Sequence, residues 1–277
     1  MKIRAKNLLM LLTVLLAACS SGQKKVWQST SIQPAPKHRT PMQNRTVLSP
    51  DFGELGRRTV EEVLQDFGPY AAEQLRPHFR KAGVAYPPRE MTWVALKAEK
   101  KLELWARDDH AYRLVRAYDI LAASGTAGPK LRQGDRQVPE GVYHIAGLNP
   151  NSKFHLSLKL NYPNEFDLHH AAQEGRFDPG SDIFIHGKDV SIGCLAMGDD
   201  AIDELFVLTA QVGAENVKVV IAPHDPRKRP LEPHVNGLPE WTDELYVMIS
   251  DEIQALSRPV KVSNSGPLSQ VSPRFRR

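Results

Sequence analysis

The stretch Ile-His-Gly-Lys-Asp-Val-Ser-Ile-Gly-Cys-Leu-Ala-Met, residues 185–197, carries more chemical information than any other part of the chain. Its first two residues are also the last two of a largely apolar run, residues 182–186. This run predicts a strand that ends at His186. Cys194 follows after a loop that contains Gly187 and Gly193. Because glycine permits tight turns, this loop can fold back and bring an imidazole close to a thiol.

A cysteine and a histidine placed in this way are candidates for a nucleophile and its base. A thiol attacks as its thiolate, and an ordinary pKa of roughly 8.5 leaves only a small ionised fraction at neutral pH. A histidine that takes the proton removes this obstacle. We therefore identify Cys194 as the candidate nucleophile and His186 as its base. Asp182 and Asp189 are candidates for orienting His186, although loop aspartates are more often solvated.

The flanking sequence predicts one β-rich domain. Strands are expected from alternating runs at 91–96, 101–105, 112–121, 142–145, 154–160 and 217–222. Helices are expected from Thr59 onward, at 70–82, at 201–211 and at 240–256, with Asp199 and Asp200 capping the third. Residues 161–180 are polar and contain Pro and Gly, which predicts a long functional loop.

The first residues predict export. Basic residues precede a short apolar run that ends in Leu16-Ala17-Ala18-Cys19. The run is too short to span a bilayer and is typical of a signal peptide. Small residues before Cys19 resemble the lipobox of bacterial lipoproteins, which implies cleavage before Cys19 and its lipidation. We expect a periplasm-facing protein anchored in the outer membrane; the alternative is an ordinary signal peptide with a chance cysteine.

These boundaries divide the chain into five segments. We assign residues 1–18 to the signal peptide, 19–50 to a flexible tether and 51–87 to a helical segment. Residues 88–223 form the catalytic domain, and 224–277 form a C-terminal helix with a disordered basic tail. Three of the 36 basic residues lie in the signal peptide, which leaves 33 against 32 acidic residues. This balance argues against nucleic acid as a partner.

Cysteine usage supports a reactive role for Cys194. The chain has two cysteines, so lipidation of Cys19 leaves Cys194 without a disulfide partner in an oxidising compartment. An unpaired cysteine is commonly a small buried apolar residue. The neighbouring glycine and the strand that ends at His186 favour catalysis instead.

Two motifs then resemble the L,D-transpeptidase (YkuD) catalytic domain family. His186-Gly187 followed by Ser191-Ile-Gly-Cys194 is similar to its active-site signature, and residues 134–143, Gly-Asp-Arg-Gln-Val-Pro-Glu-Gly-Val-Tyr, resemble its Pro-x-Gly segment. Residues 160–167, Leu-Asn-Tyr-Pro-Asn-Glu-Phe-Asp, look like the YafK-type branch. The resemblance covers about residues 92–221 and implies a mainly β (α+β) fold, a YkuD-like β-sandwich with short flanking helices.

The resemblance implies acyl transfer on peptidoglycan stem peptides through a Cys194 thioester, without a cofactor. Gly187 would fix the tautomer of His186 through its backbone, Ser191 and Gly193 would shape the loop, and the amides of Gly193 and Cys194 would hold the oxyanion. Peptidoglycan is the expected partner, together with a lipoprotein linked to it.

Ile192 and Ala196 depart from the commonest motif, Ser-His-Gly-Cys followed two places later by Asn or Arg. This departure leaves the acceptor open, so hydrolysis that releases lipoprotein or stem-peptide residues is an alternative. A non-catalytic peptidoglycan-binding lipoprotein is a second alternative.

Three aromatic residues and two histidines complete the set of candidates. Tyr143, Tyr162 and Phe166 are candidates for the substrate cleft, with core packing as the alternative. His169 and His170 are adjacent in the predicted loop and cannot face one ion together, so no metal site is expected.

Overall fold

In the computed structural model, which describes residues 57–107, 111–232 and 236–258, nine strands form one continuous sheet. The strands are β1 (Glu90–Leu96), β2 (Lys101–Arg107), β3 (Tyr112–Asp119), β4 (Ala122–Ala123), β5 (Gly141–Ser152), β6 (His155–Leu160), β7 (Phe184–His186), β8 (Leu195–Ala196) and β9 (Val217–Ala222). The helices are α1 (Val60–Ala82), α2 (Glu165–Gln173), α3 (Asp199–Val212) and α4 (Thr242–Leu256), with a short 3-10 helix at Ala214–Asn216.

The strand order is β3-β2-β1-β9-β5-β6-β7-β8-β4. The β1–β9 and β7–β8 pairs are parallel and the others are antiparallel. Strand β5 pairs with β9 through residues 141–144 and with β6 through residues 145–152, so it belongs to both halves of the sheet. Side chains from both halves share one apolar core with α1 and α3. This arrangement confirms the mainly β, α+β class.

Strands β1 and β9 are buried on both faces. Trp93 and Val219 belong to the large core beneath α1 and α3, whereas Val94 and Val220 belong to a second core beneath α4. Successive side chains of a strand point to opposite faces, so two covering layers are needed to bury all of them. Helix α4 supplies the second layer, which explains the apolar character of residues 217–222.

Helix α1 is continuous, and the prediction of a separate helix from residue 70 was wrong. Thr59 and Glu62 form a capping box at its start, and Gly83 ends it in the left-handed conformation. Pro69 and Pro77 lie inside the helix. Apolar residues repeat every four positions across both prolines, and the buried ones pack on the core: Val63, Ala71, Leu75 and Phe79. This continuous packing outweighs the local cost of the prolines.

Residues 161–180 contain helix α2, which corrects the prediction of one long loop. Asn164 accepts a hydrogen bond from the Asp167 backbone N–H, and the Asp167 carboxylate accepts one from the Asn164 N–H, both at 3.0 Å. These bonds provide acceptors for two backbone N–H groups at the start of the helix, where no acceptor within the helix is available. A smaller correction concerns α3, which begins at Asp199 after Gly198 rather than being capped by Asp199 and Asp200.

Candidate functional site

His186 is the last residue of β7 and lies in the interior. Its backbone oxygen accepts a bond from the Met197 N–H at 2.8 Å, which ties β7 to the residue after β8. The ring lies 4.5 Å from that of Phe154, centroid to centroid, and His186 is only 2% exposed whereas Phe154 is 40% exposed. The phenyl ring therefore covers the imidazole.

The tautomer of His186 follows from its neighbour. Nδ1 lies 2.6 Å from the Gly187 backbone oxygen. Because a carbonyl oxygen can only accept, Nδ1 carries the hydrogen, and Nε2 of the neutral ring is left with a free lone pair. Burial lowers the pKa of His186, and the bond to Gly187 opposes this shift in part. The neutral ring, which can take a proton, is thus favoured.

Gly187 must be a glycine at this position. A Cβ added to it would lie 2.6 Å from both the Asp199 Oδ1 and the Phe154 backbone oxygen. Asp199 also accepts bonds from the Lys188 N–H and Nζ, each at 2.9 Å, which holds the start of the loop against α3.

Cys194 is partly buried immediately before β8. Its Sγ lies 3.9 Å from the Asp182 backbone oxygen, to which the thiol donates. The parallel register pairs His186 with Ala196, so Cys194 lies two residues before the partner of His186. This offset is about 7 Å along the strand direction. The two candidate residues therefore lie at the end of β7 and just before its neighbour β8.

The thiol is protonated at rest. Burial raises the pKa of Cys194, and the negative charge of Asp182 adds to the rise. A backbone hydrogen bond with Phe184 and the positive charge of Lys130 act in the opposite direction. The lowered pKa of His186 and the raised pKa of Cys194 both favour the neutral groups, which disfavours a resting ion pair.

The two amides next to the thiol already have hydrogen-bond acceptors. The Gly193 N–H donates to the Ser124 Oγ at 2.6 Å, and the Cys194 N–H donates to the Ser191 Oγ at 2.9 Å. The Ser191 hydroxyl donates back to the Cys194 backbone oxygen at 2.6 Å. Backbone donors in a folded interior take an acceptor wherever one is present. The sequence prediction of two amides open to an oxyanion therefore needs correction: each is occupied.

Neither aspartate weighed as an orienting group contacts His186 Nδ1, which is bound to Gly187. The Asp182 carboxylate pairs with Lys159 Nζ at 2.7 Å, and this bond lowers the pKa of Asp182. Asp182 instead contributes its backbone oxygen beside the thiol. Asp189 is exposed.

The three aromatic candidates have packing roles. Tyr143 is fully buried, and its hydroxyl donates to the Glu140 backbone oxygen at 3.1 Å. The Tyr162 hydroxyl donates to the Pro179 backbone oxygen at 2.8 Å. Phe166 packs against the ring of Trp241, with centroids 5.8 Å apart. Because protein groups already hold these side chains, the structure does not place them at an open cleft.

Ser124, Phe154 and Lys130 were not predicted from the sequence. Each reaches the site from a segment distant in the chain, and none belongs to a motif that names its role. Their positions depend on strand pairing and loop packing.

The described residues show neither a metal site nor a membrane-spanning helix. Those residues hold no cluster of three potential metal ligands, and His170 stacks on Trp241 with ring centroids 4.6 Å apart. No helix among them has the length and apolar character to span a bilayer. Cys19 and the predicted signal peptide lie outside the described residues.

Comparison with known proteins confirms the resemblance that the motifs indicate. Residues 91–221 match the family model of YkuD, the L,D-transpeptidase catalytic domain. Over 132 residues the chain is 39% identical to YafK of Escherichia coli (strain K12) and of Escherichia coli O157:H7, whose name assigns it provisionally as an L,D-transpeptidase. The match covers 46% of this chain and 51% of YafK, so the chain spans about half the length of these relatives.

The chain also has two similar solved structures at low TM-score. The helical cell shape determining protein Pgp2 from Campylobacter jejuni has a TM-score of 0.41 at 20% identity, covering 49% of this chain and 48% of Pgp2. Bd1075 from Bdellovibrio bacteriovorus has a TM-score of 0.37 at 19% identity, covering 61% of this chain and 57% of Bd1075.

Proposed function

From the match of residues 91–221 to the L,D-transpeptidase catalytic domain, we propose that this protein transfers acyl groups of peptidoglycan stem peptides through a Cys194 thioester. The observation that carries the proposal is the placement of an imidazole at the end of β7 and a thiol immediately before the neighbouring strand β8, within the matched region, with burial favouring the neutral form of each. Cys194 is the nucleophile and His186 is its base.

The proposed reaction proceeds in two halves. Nε2 of His186 takes the thiol proton as Sγ attacks the carbonyl carbon of the central diamino acid. The C–N bond to the next residue then breaks, the departing amine takes the proton from His186, and a thioester remains. In the second half an acceptor attacks the thioester, its proton passes to His186 and then to Sγ, and the free thiol returns.

The acceptor determines whether the protein is a transferase or a hydrolase. An amine gives a crosslink or attaches a lipoprotein, and water releases lipoprotein or stem-peptide residues. Side chains that flank the thiol offer little to select a polar acceptor, because Ile192 is exposed and apolar and Ala196 is buried and apolar. Hydrolysis is therefore the second candidate function.

Mass spectrometry of peptidoglycan peptides tests the proposal. Purified peptides, with and without a bound lipoprotein, are incubated with the protein, Cys194→Ala and His186→Ala. We expect Cys194→Ala to give no product and His186→Ala to lower the rate by about 10²- to 10⁴-fold, as for loss of a general base.

New crosslinks or amine exchange would identify a transpeptidase, and released peptides without exchange a hydrolase. Products that persist in Cys194→Ala would contradict the thioester. If neither the wild-type protein nor a variant altered the peptides, a peptidoglycan-binding lipoprotein without catalysis would be favoured.

We further propose that Cys19 is lipidated and holds the protein on the periplasmic side of the outer membrane. The lipobox-like Leu16-Ala17-Ala18-Cys19 supports this proposal. Cells fed a labelled fatty acid should incorporate label into the wild-type protein and not into Cys19→Ala, whereas Cys194→Ala serves as the control and should keep the label. Equal labelling of the wild type and Cys19→Ala would contradict the anchor.

A further inference from the structure

Ser124 lies where three segments of the chain meet beside the candidate nucleophile. It follows β4, whose Ala123 pairs with Leu195, the residue after Cys194. Its hydroxyl accepts the Gly193 N–H at 2.6 Å and donates to the Arg136 backbone oxygen at 2.8 Å. One side chain thus joins the nucleophile loop, β4 and the turn at Arg136.

The backbone of Ser124 is fixed independently of its hydroxyl. Its carbonyl oxygen accepts the Val138 N–H at 3.2 Å, and the β4–β8 pairing holds the residue just before it. A hydroxyl on such a rigid segment can determine the orientation of whatever it binds. What it binds is the amide of Gly193, one residue before the thiol.

Gly193 depends on this bond for its orientation. Its φ of +107° lies in the region that favours glycine, and a Cβ added to it would lie 3.7 Å from the Gln137 backbone oxygen. The residue is buried, so its N–H would lose a hydrogen bond with little access to water if the Ser124 hydroxyl were removed. An unmet buried donor costs about 1–3 kcal/mol, enough to make the loop adopt another conformation.

We propose that Ser124 is a positioning residue: by accepting the Gly193 N–H it fixes the Ile192–Gly193 peptide and, through it, the placement of Cys194 for attack on a carbonyl group. This role rests on the proposed function of Cys194 and adds to it a residue outside the motif around the nucleophile. The proposal predicts that attack of the Cys194 thiol on a carbonyl group, which needs a fixed approach of Sγ, should depend on Ser124, and that alkylation by a small reagent should not.

Two reagents separate these reactions in the full-length protein. A carbapenem acylates a thiol through its lactam carbonyl, so that a C–S bond forms, the ring C–N bond breaks and the thiol proton ends on the ring nitrogen. Iodoacetamide alkylates the thiol with loss of iodide and forms no oxyanion. Mass spectrometry follows both adducts on Cys194.

The variants are matched in shape. Ser124→Thr keeps the hydroxyl, and Ser124→Val has nearly the same shape without it. Thr126→Ala is the control from the same loop, since the Thr126 hydroxyl donates at 3.4 Å to the backbone oxygen of the neighbouring Ala127 and takes no part in holding Gly193. Thermal unfolding of each variant checks that the fold is kept.

We expect Ser124→Val to be acylated about 10- to 100-fold more slowly than Ser124→Thr, the range for a reacting group displaced by about 1 Å. Alkylation should be unchanged in both, and Thr126→Ala should match the wild type in both reactions. Equal acylation of Ser124→Val and Ser124→Thr would overturn the inference, as would an equal loss of acylation and alkylation. A wild-type protein that alkylates but does not acylate would refute the proposed function instead.

Discussion

His186 and Cys194 have pKa shifts in opposite directions, and burial is the first cause of both. A buried imidazole resists gaining a proton, and a buried thiol resists losing one, because both changes create charge away from water. The resting pair is therefore neutral. In the proposed reaction, an attack from this state would require the imidazole to take the proton as the thiol attacks, which is general-base chemistry.

Phe154 is expected to maintain the low pKa of His186, since its ring covers the imidazole. Replacement of Phe154 by Ala should expose the imidazole and move its pKa upward toward the ordinary value. An NMR titration of the ring measures this pKa directly. Phe177→Ala is the matched control because Phe177 is 98% exposed. An unchanged pKa in Phe154→Ala would mean that other groups desolvate the ring.

The same pKa has a consequence for stability. Its folded value is lowered, so below about pH 6.5 the unfolded chain binds more protons at His186 than the folded protein does. The contribution of this residue to stability is complete above that pH and is lost as the pH falls from there through the lowered folded pKa. Phe154→Ala should lose less stability from this residue over the same range, which urea unfolding at several pH values would detect.

At the scale of elements, the sequence predicts strands better than it predicts the segments between them. Strand β7 and its terminal His186 were predicted from the apolar run at residues 182–186, and the structure has a strand there. Helix α2 escaped prediction because it has nine residues with little amphipathic pattern, and its start carries Asp167 where a capping box usually has Glu or Gln. Helix α1 was divided in the prediction because local rules give proline more weight than tertiary packing does.

The same distinction explains which parts of the site could be predicted. Cys194, His186 and Gly187 lie within ten residues of one another, so their types and spacing suggest a role. Ser124 reaches Gly193 across 69 residues of sequence, and only the β4–β8 pairing brings the two together. The occupation of both loop amides by serine hydroxyls has no sequence signal, since serine is common in loops and turns.

At the scale of the whole molecule, a buried polar network connects α4 to the loop that carries Ser124. Glu140 accepts bonds from Lys97 Nζ at 2.9 Å, the Tyr246 hydroxyl at 3.0 Å and the Gly128 N–H at 2.9 Å. Lys97 Nζ also donates to the Thr126 backbone oxygen at 2.6 Å. The side chain of Glu140 is fully buried and that of Lys97 is 8% exposed. The network therefore joins the end of β1, residues 126–140 and α4.

Replacement of one partner should lower the free energy of unfolding most where it leaves a buried charge without its counter-charge. Glu140→Gln leaves the Lys97 ammonium buried without a counter-charge, so we expect a loss of about 3–5 kcal/mol in the free energy of unfolding. Tyr246→Phe removes one hydrogen bond to a charged group, and we expect about 1.5–3 kcal/mol. Urea unfolding followed by circular dichroism measures both.

Glu252→Gln is the control, because the Lys218–Glu252 pair is about one-third exposed and should contribute at most about 1 kcal/mol. If Glu140→Gln cost no more than Glu252→Gln, the buried charge of Lys97 would be compensated by the backbone oxygens around it. Residues 126–140 would then be held mainly by the carbonyl contacts of Lys97.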